Sequence, residues 1–265
     1  MFPDEAKIEI QHLTMTYGEY VVMRDINAQI KKGSVFIIMG ESGTGKSTLL
    51  RHMIGLKRPT QGEVLFDGQS FWDLDEESRR GQLRSFGVLF QSGALWSSMT
   101  LAENVALPLA EYTDWPLADR QDVARLKLAL VGLGGFEDYY PSEISGGMRT
   151  RAGLARAMAL DPEILFLDEP SAGLDPIISR NLDQLILELR DSLGATIVVV
   201  THELASIFAI ADDAIYLDAE SRTMGAQGNP KDLLRHSTDP KLRAFLTRGE
   251  APQPRLGVGE QVVSP

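Results

Sequence analysis

Cysteine is absent from the 265 residues. That excludes a disulfide framework and thiolate metal sites, and it fits a reducing compartment. Long apolar runs are missing too: a stretch such as residues 204–211 is far shorter than the roughly 20 residues a membrane-spanning helix needs. The chain is therefore not expected to cross a bilayer. Basic residues are in the minority, with 26 Lys and Arg against 37 Asp and Glu and a net charge of −11. This argues against a sequence-independent grip on DNA or RNA, which needs a local excess of cations. Residues 1–10 have neither the basic nor the apolar region of a secretory signal.

What is present is ordinary for a packed protein, 43% hydrophobic and 24% charged. The length suits one large domain, or a core with a smaller subdomain. Ile8 and Ile10 alternate with polar residues, as do Ile26, Ala28 and Ile30, which predicts strands in the first thirty residues. Residues 35–39 form a continuous apolar run, the pattern of a strand buried on both faces. Residues 49–54 follow as a helix, and 62–68 read as a hairpin arm ending in an Asp-Gly turn. A charged helical stretch between 71 and 90 precedes a short strand at 86–90.

From about residue 92 to 150 the texture changes. Val123, Leu126, Leu130 and Leu133 recur at helical spacing and predict a helical subdomain inserted in the strand–helix alternation. Alternation then resumes, with helices near 146–160 and 177–193 and strands at 164–167, 196–200 and 214–217. Asn229-Pro230 predicts a helix start, with an N-cap followed by proline at the first position. Residues 249–265 are rich in Pro, Gly and polar residues and read as a mobile tail.

The segment Gly40-Glu41-Ser42-Gly43-Thr44-Gly45-Lys46-Ser47-Thr48 matches G-x-x-x-x-G-K-[ST]. The glycines let backbone amides approach phosphate oxygens, and the following helix N-terminus adds its own amides and dipole. Lys46 would reach the β- and γ-phosphates, and Ser47 would hold Mg²⁺. The pattern arises by chance in about one chain in a hundred of this length, but here it follows a buried strand and opens a helix, as the motif demands. Alone it implies only nucleoside-triphosphate binding, shared by kinases, GTPases and many ATPases.

Downstream, residues 164–167 lead into Asp168 and Glu169. One carboxylate at a strand end can order a metal shell, and the adjacent one points elsewhere and can deprotonate a water. An acidic pair merely ending a strand is the blander reading. Ser145-Gly146-Gly147 opens another helix, a second anion-binding N-terminus. By itself it could be a simple helix start. One nucleotide does not need two cradles from one chain, so the economical reading is that it caps a nucleotide held by a second copy.

These elements, in this order and spacing, resemble the nucleotide-binding subunit of an ABC ATPase over residues 6–248. The resemblance implies an α/β fold: a P-loop NTPase (RecA-like) core, an N-terminal antiparallel β subdomain and the inserted helical subdomain. It implies that Tyr17 stacks on adenine, and that Gly40, Glu41, Ser42, Gly43, Thr44, Gly45, Lys46, Ser47 and Thr48 hold the phosphates. Gln91, in Phe90-Gln91-Ser92, matches a glutamine that contacts Mg²⁺ and senses the transport partner. Ser145, Gly146 and Gly147 match the signature that acts across a dimer. Asp168 matches the metal-ordering aspartate, Glu169 the catalytic glutamate, Asp175 the D-loop aspartate and His202 the switch histidine. A histidine after a buried strand is otherwise usually a hydrogen-bonded core residue.

Two positions depart from the usual pattern: Ile144 stands where leucine is common, and Met148 where glutamine is. The Gly-Gly-Met-x-x-Arg version, with Ser92-Gly93-Ala94-Leu95, is similar to the ATPases that work with MCE proteins in lipid transport, such as the Mla phospholipid system. The resemblance thus implies an ATP- and Mg²⁺-dependent motor that forms a homodimer and works with an MlaE-like integral-membrane permease and an MCE-domain protein. It would sit at the cytoplasmic face of the inner membrane and have no nucleic-acid partner. A polar-solute importer ATPase and a non-transport type such as that of iron–sulfur assembly are the alternatives. A small-molecule kinase would have no use for Ser145–Gly147.

Overall fold

Strand β3 (Val35–Met39) has all five residues buried, and its alternation divides the protein into two cores. Val35, Ile37 and Met39 face one cluster, while Phe36 and Ile38 face the other. A computed structural model of the chain describes residues 6–249. In it β3 is a central strand of a six-stranded sheet. Its other members are β6 (Phe86–Leu89), β7 (Ile164–Asp168), β8 (Thr196–Val200), β9 (Asp213–Asp218) and β10 (Thr223–Gly228), in the order β10-β9-β3-β8-β7-β6. β3 runs parallel to β8 and β9, and β7 parallel to β6 and β8; β10 is antiparallel at the edge. Strands covered on both faces have no polar alternation to keep, which is why they were legible as apolar runs.

A second, antiparallel sheet has the order β2-β1-β4-β5, from β1 (Ala6–Tyr17), β2 (Tyr20–Lys31), β4 (Gln61–Phe66) and β5 (Gln69–Ser70). Ile8, Ile10, Leu13 and Met15 of β1 and Ile26 and Ile30 of β2 pack inward against Phe36, Phe66 and Phe166. Asp67 and Gly68, the turn between β4 and β5, both have positive φ, 49° and 76°. That is the backbone a two-residue hairpin needs, and Asp-Gly accepts it readily.

Helix α1 (Lys46–Met53) follows β3, and α2 (Glu76–Arg84) precedes β6. Between β6 and β7 lie α3 (Leu101–Tyr112), α4 (Leu117–Leu130) and α5 (Gly146–Ala157). Thr100 and Glu103 form a capping box at the start of α3, satisfying two orphan amides reciprocally. The inserted helices are therefore present, and the four periodic residues divide: Leu133 is buried and Val123 packs against the core, while Leu126 and Leu130 face outward. Ala124, Leu128 and Val131 are buried, whereas Leu126 and Leu130 are 57% and 52% exposed. Apolar residues occupy both sides of α4, so periodicity identified a helix without choosing its buried side. Helix α5 continues past residue 150 to Ala157 and packs on β6.

Helices α6 (Pro176–Leu193), α7 (Leu204–Ile210), α8 (Pro230–His236) and α9 (Pro240–Leu246) complete the fold. Asn229 caps α8 and Pro230 is its first residue. β10 and α9 were not anticipated, although Asp239-Pro240 repeats the same capping logic: Asp239 accepts from the amides of Lys241 and Leu242. The predicted tail lies outside the described residues from Glu250 onward. Among the described residues no helix is long and apolar enough to cross a membrane.

One buried carboxylate links the last helices to the core. Asp183 of α6 is 6% exposed and accepts from the Ser206 hydroxyl of α7 at 2.9 Å; burial raises its pKa and the Ser206 bond only partly opposes this. The folded state thus holds this proton more tightly than the unfolded chain does, so the ionised carboxylate destabilises the fold at neutral pH. Asp183→Asn, which keeps a polar partner for Ser206, is expected to raise the urea midpoint at pH 7. Its advantage should shrink as pH falls through the raised folded-state pKa and vanish only below the ordinary value of 3.8, where the wild-type carboxyl is protonated in both states.

Candidate active site

The parallel strands deliver their C-terminal ends to one edge, where open α/β sheets bind ligands. β3 ends in the loop 40–45, β7 in Asp168 and Glu169, and β8 in Thr201 and His202. Gly45, at the N-cap of α1, has φ 97°. A Cβ there would lie 2.7 Å from Val22 Cγ1, so backbone conformation and packing both require glycine. The Thr44 hydroxyl donates to the Glu41 carbonyl at 3.0 Å and tightens the loop.

Lys46 is 5% exposed. Its ammonium donates to the carbonyls of Gly40 (3.0 Å) and Glu41 (2.9 Å), with Glu169 Oε1 3.9 Å away. Burial pulls its pKa down, opposed by the charges of Glu169 and Asp168. A desolvated cation held mainly by neutral carbonyls is a poor arrangement until anionic oxygens arrive. Asp168 is the mirror case. Burial raises its pKa, and the Ser47 hydroxyl, donating to Oδ1 at 2.8 Å, is its main counterweight. One hydroxyl and one carboxylate oxygen, both hard donors at a helix N-terminus, fit Mg²⁺ shared with phosphates rather than an all-protein cage. In keeping with that, no cluster of three or more His, Cys, Asp or Glu suited to a metal exists among the described residues.

Glu169 adopts left-handed backbone, φ 48°, while its amide still donates to the Val200 carbonyl at 2.9 Å. The turn aims its side chain away from Asp168 and towards His202, whose Nδ1 lies 2.9 Å from Oε1 and 3.0 Å from Oε2. A non-glycine residue held there stores about 1–3 kcal/mol of strain, a feature that clusters at functional sites. The His202 side chain is 45% exposed; it is not a core histidine but faces the open edge.

Tyr17, at the end of β1, is half-exposed. Bonding to the Thr48 side chain lowers its pKa, with smaller help from Arg51 and Lys57. Lys57 Nζ sits 3.4 Å from the ring centroid and donates to the Thr16 carbonyl, so one ring face is occupied and the ring is fixed. Lys57 carried no sequence signal, because it follows α1 in an irregular segment.

Lys46, Ser47, Asp168, Glu169 and His202 therefore form one constellation, with Tyr17 joined through Thr48. Gln91 follows β6, whose last residue Leu89 pairs with Leu167 of β7, so it lies at the same sheet edge as Asp168. Among the described residues neither Gln91 nor Ser145–Gly147 makes a hydrogen bond to the constellation. Gln91 is exposed and begins the single turn Gln91–Gly93. Ser145 caps α5, accepting from the Met148 amide at 3.3 Å. Among the described residues no hydrogen bond joins Ser145, Gly146 or Gly147 to the loop 40–48. Asp175 caps α6, accepting from the amides of Ile177 and Ile178, each at 3.0 Å.

The Gln91 turn is locked to α5. Arg156 of α5 donates to the Gly93 and Ala94 carbonyls, each at 2.9 Å. A Cβ on Gly153 would lie 2.8 Å from Gly93 Cα. Asn104 of α3, fully buried, holds the segment that follows by bonding the Trp96 amide and the Trp96 and Met99 carbonyls. None of these three stood out in sequence, since each acts by reaching backbone groups.

A phosphate-binding loop at a strand end, a carboxylate pair and a facing histidine define a P-loop nucleotide-hydrolysing protein. The family model described as ABC transporter matches residues 23–172, and the chain belongs to that family as an ATP-binding, ATP-hydrolysing cassette. It is 41% identical over 247 residues to the intermembrane phospholipid transport system ATP-binding protein MlaF of Haemophilus influenzae, covering 93% of this chain and 92% of that one. It is 42% identical over 245 residues to the probable ribonucleotide transport ATP-binding protein mkl of Mycobacterium tuberculosis, covering 92% of this chain and 67% of the relative. Among solved structures it is similar to the dimeric ATP-binding cassette MJ0796 in a post-hydrolysis state with ADP and Pi. That match has a TM-score of 0.76 and 32% identity, and covers 84% of this chain and 98% of that one.

The Gly93–Gly153 contact gives a direct test. Glycine to alanine inside an exposed helix gains about 1 kcal/mol, but an added methyl under 3 Å from backbone overpacks the contact and costs about 1–3 kcal/mol. Gly153→Ala is expected to lower stability to chemical denaturation by up to about 2 kcal/mol; a variant stabilised by the full helix-propensity gain would show that the turn is not held by this contact.

Proposed function

We propose that the chain is the ATP-driven motor of an envelope lipid transporter, and that two copies enclose two nucleotides. The observation that carries the motor reading is the constellation at the sheet edge: a buried Lys46 without a full counter-charge, the Ser47–Asp168 pair, and Glu169 turned onto His202. In this reading Tyr17 stacks on the base with its free face. The loop 40–45 and the first turn of α1, through Lys46, Ser47 and Thr48, wrap the phosphates. Ser47 and Asp168, with Gln91, would hold Mg²⁺, which when bound would neutralise phosphate charge. Glu169 takes a proton from the attacking water as its oxygen bonds to the γ-phosphorus. The bond to the bridging oxygen breaks, and ADP leaves with that oxygen. Lys46 and His202 stabilise the charge that develops on the γ-phosphoryl oxygens.

Ser145, Gly146 and Gly147 supply a helix N-terminus with no nucleotide of its own to serve, so they cap the γ-phosphate of the second copy. That the similar cassette MJ0796 is dimeric supports a pair of this kind. Asp175, exposed at the start of α6, belongs to the same junction.

The partner dock is a groove lined by Leu56, Leu83, Phe90, Pro108, Tyr112 and Leu160. It adjoins Gln91 and includes Arg156 of α5. A permease element seated there would press on the Gln91 turn and on the helix whose far end carries Ser145, and the chain would sit peripherally on the cytoplasmic face through that permease. The Mla-type relatives and the Met148 variant of the signature support a lipid as cargo, with an MCE-domain protein in the complex. The name of the mycobacterial relatives favours a polar solute as the second reading.

Glu169→Gln should lower ATP turnover by about a hundredfold or more while leaving ATP affinity unchanged, read by single-turnover assay and nucleotide titration. Wild-type hydrolysis by that variant would remove Glu169 from the mechanism. At saturating ATP the same protein should sediment as a dimer, and a persistent monomer would defeat the shared-site reading. Purified from membranes, the chain should bring a multi-span permease and an MCE-domain protein. Recovery with a periplasmic solute-binding protein instead would favour the polar-solute reading.

A further inference from the structure

The last helix ends beside the catalytic histidine. α9 is anchored by Leu242 and Leu246, 0% and 3% exposed, and by Phe245, whose ring lies 5.4 Å from that of Tyr216. At its start Lys241 pairs with Asp218 and Glu220, at 3.2 and 2.7 Å. At its end the Gly249 amide returns to the Ala244 carbonyl at 2.8 Å, and that of Arg248 to Phe245 at 3.2 Å. This closing turn puts Arg248 across a cleft from Glu41, Ser42 and His202.

Two carboxylates face the two ring nitrogens of His202. Nδ1 is bonded to Glu169. Nε2 lies 3.8 Å from Glu203 Oε1, beyond hydrogen-bond range but within reach of one side-chain rotation. The other oxygen of Glu203, Oε2, lies 3.6 Å from the Arg248 guanidinium. Glu203 is therefore drawn between a histidine it could bond and an arginine that holds it off.

We propose that Arg248 is a positioning residue for ATP hydrolysis: it restrains Glu203 so that Nε2 of His202 stays free to donate to the γ-phosphate. The inference rests on the proposed role of His202. Donation to Glu169 through Nδ1 and to phosphate through Nε2 requires both ring nitrogens to carry a proton. In that form a Glu203 that closed the gap would take the Nε2–H and place a negative charge beside the phosphate oxygens. The C-terminal helix would then set the rate of a reaction to which it contributes no reacting atom.

The test is steady-state ATPase of the full-length chain in its membrane complex. Arg248→Ala should lower kcat by about two- to fivefold, the scale of an exposed ion pair, with KM for ATP unchanged. Arg248→Lys should retain most of the rate. Glu203→Gln also loses the ion pair, yet it should hydrolyse at close to the wild-type rate, because the amide carries no charge to place beside the phosphate. Adding it to Arg248→Ala should restore kcat. A merely structural role for the pair predicts the opposite: both single variants slow, and no rescue in the double. Unchanged kcat in Arg248→Ala, or a double variant as slow as that single one, overturns the proposal. Those results would leave the catalytic reading intact as long as Glu169→Gln is inactive, whereas an active Glu169→Gln would overturn the catalytic reading instead.

Discussion

The structure depends on two desolvated charges held at the end of a parallel sheet. Lys46 and Asp168 are carried by neighbouring elements, yet neither is satisfied by the other. The ammonium rests on two backbone carbonyls and the carboxylate on one hydroxyl. Burial pushes both away from their charged forms. A protein gains nothing in stability from such an arrangement. It is tolerated because β3, β7 and β8 pack Val, Ile, Leu and Phe on both faces and fix the strand ends regardless. A polyanionic nucleotide supplies the charge that Lys46 lacks, which ties ligand binding to relief of a deficit built into the fold.

Close approach and hydrogen bonds together fasten the Gln91 turn to α5. Gly93 and Gly153 bring the Gln91 turn against α5, Arg156 clamps two carbonyls of that turn, and Asn104 fastens the chain beyond it. Because α5 also starts with Ser145, one rigid rod runs from the groove beside Phe90 to the end that would meet a second copy. A packed contact of this kind transmits displacement instead of absorbing it. At the other side of the site, Arg248 and Glu203 bring the C-terminal helix within one side chain of His202.

Much of this was legible before any coordinates. Residues 35–39 and 196–200 announced themselves because strands covered on both faces must be continuously apolar. The loop 40–48 did so because close approach to phosphate leaves few residue types to choose from. Asn229-Pro230 and Asp67-Gly68 were readable for the same local reason. The failures share a cause as well. Leu126 and Leu130 share the helical spacing of Val123 and Leu133, but α4 has apolar residues on two sides and only its neighbours decide which side is covered. β10 is an edge strand whose residues, Thr223–Gly228, carry little hydrophobic signal.

The sequence by itself determined which residues can bind a triphosphate, order a metal and activate water, because those abilities reside in side-chain chemistry and short-range backbone conformation. Only the tertiary structure decided which of them share a site. It joined Lys46, Ser47, Asp168, Glu169 and His202, left Ser145 without a hydrogen bond to them among the described residues, exposed His202, and brought Lys57 to Tyr17, Arg156 to the Gln91 turn and Arg248 to Glu203. Those outcomes depend on strand order and on contacts between residues far apart in the chain, which no local pattern encodes.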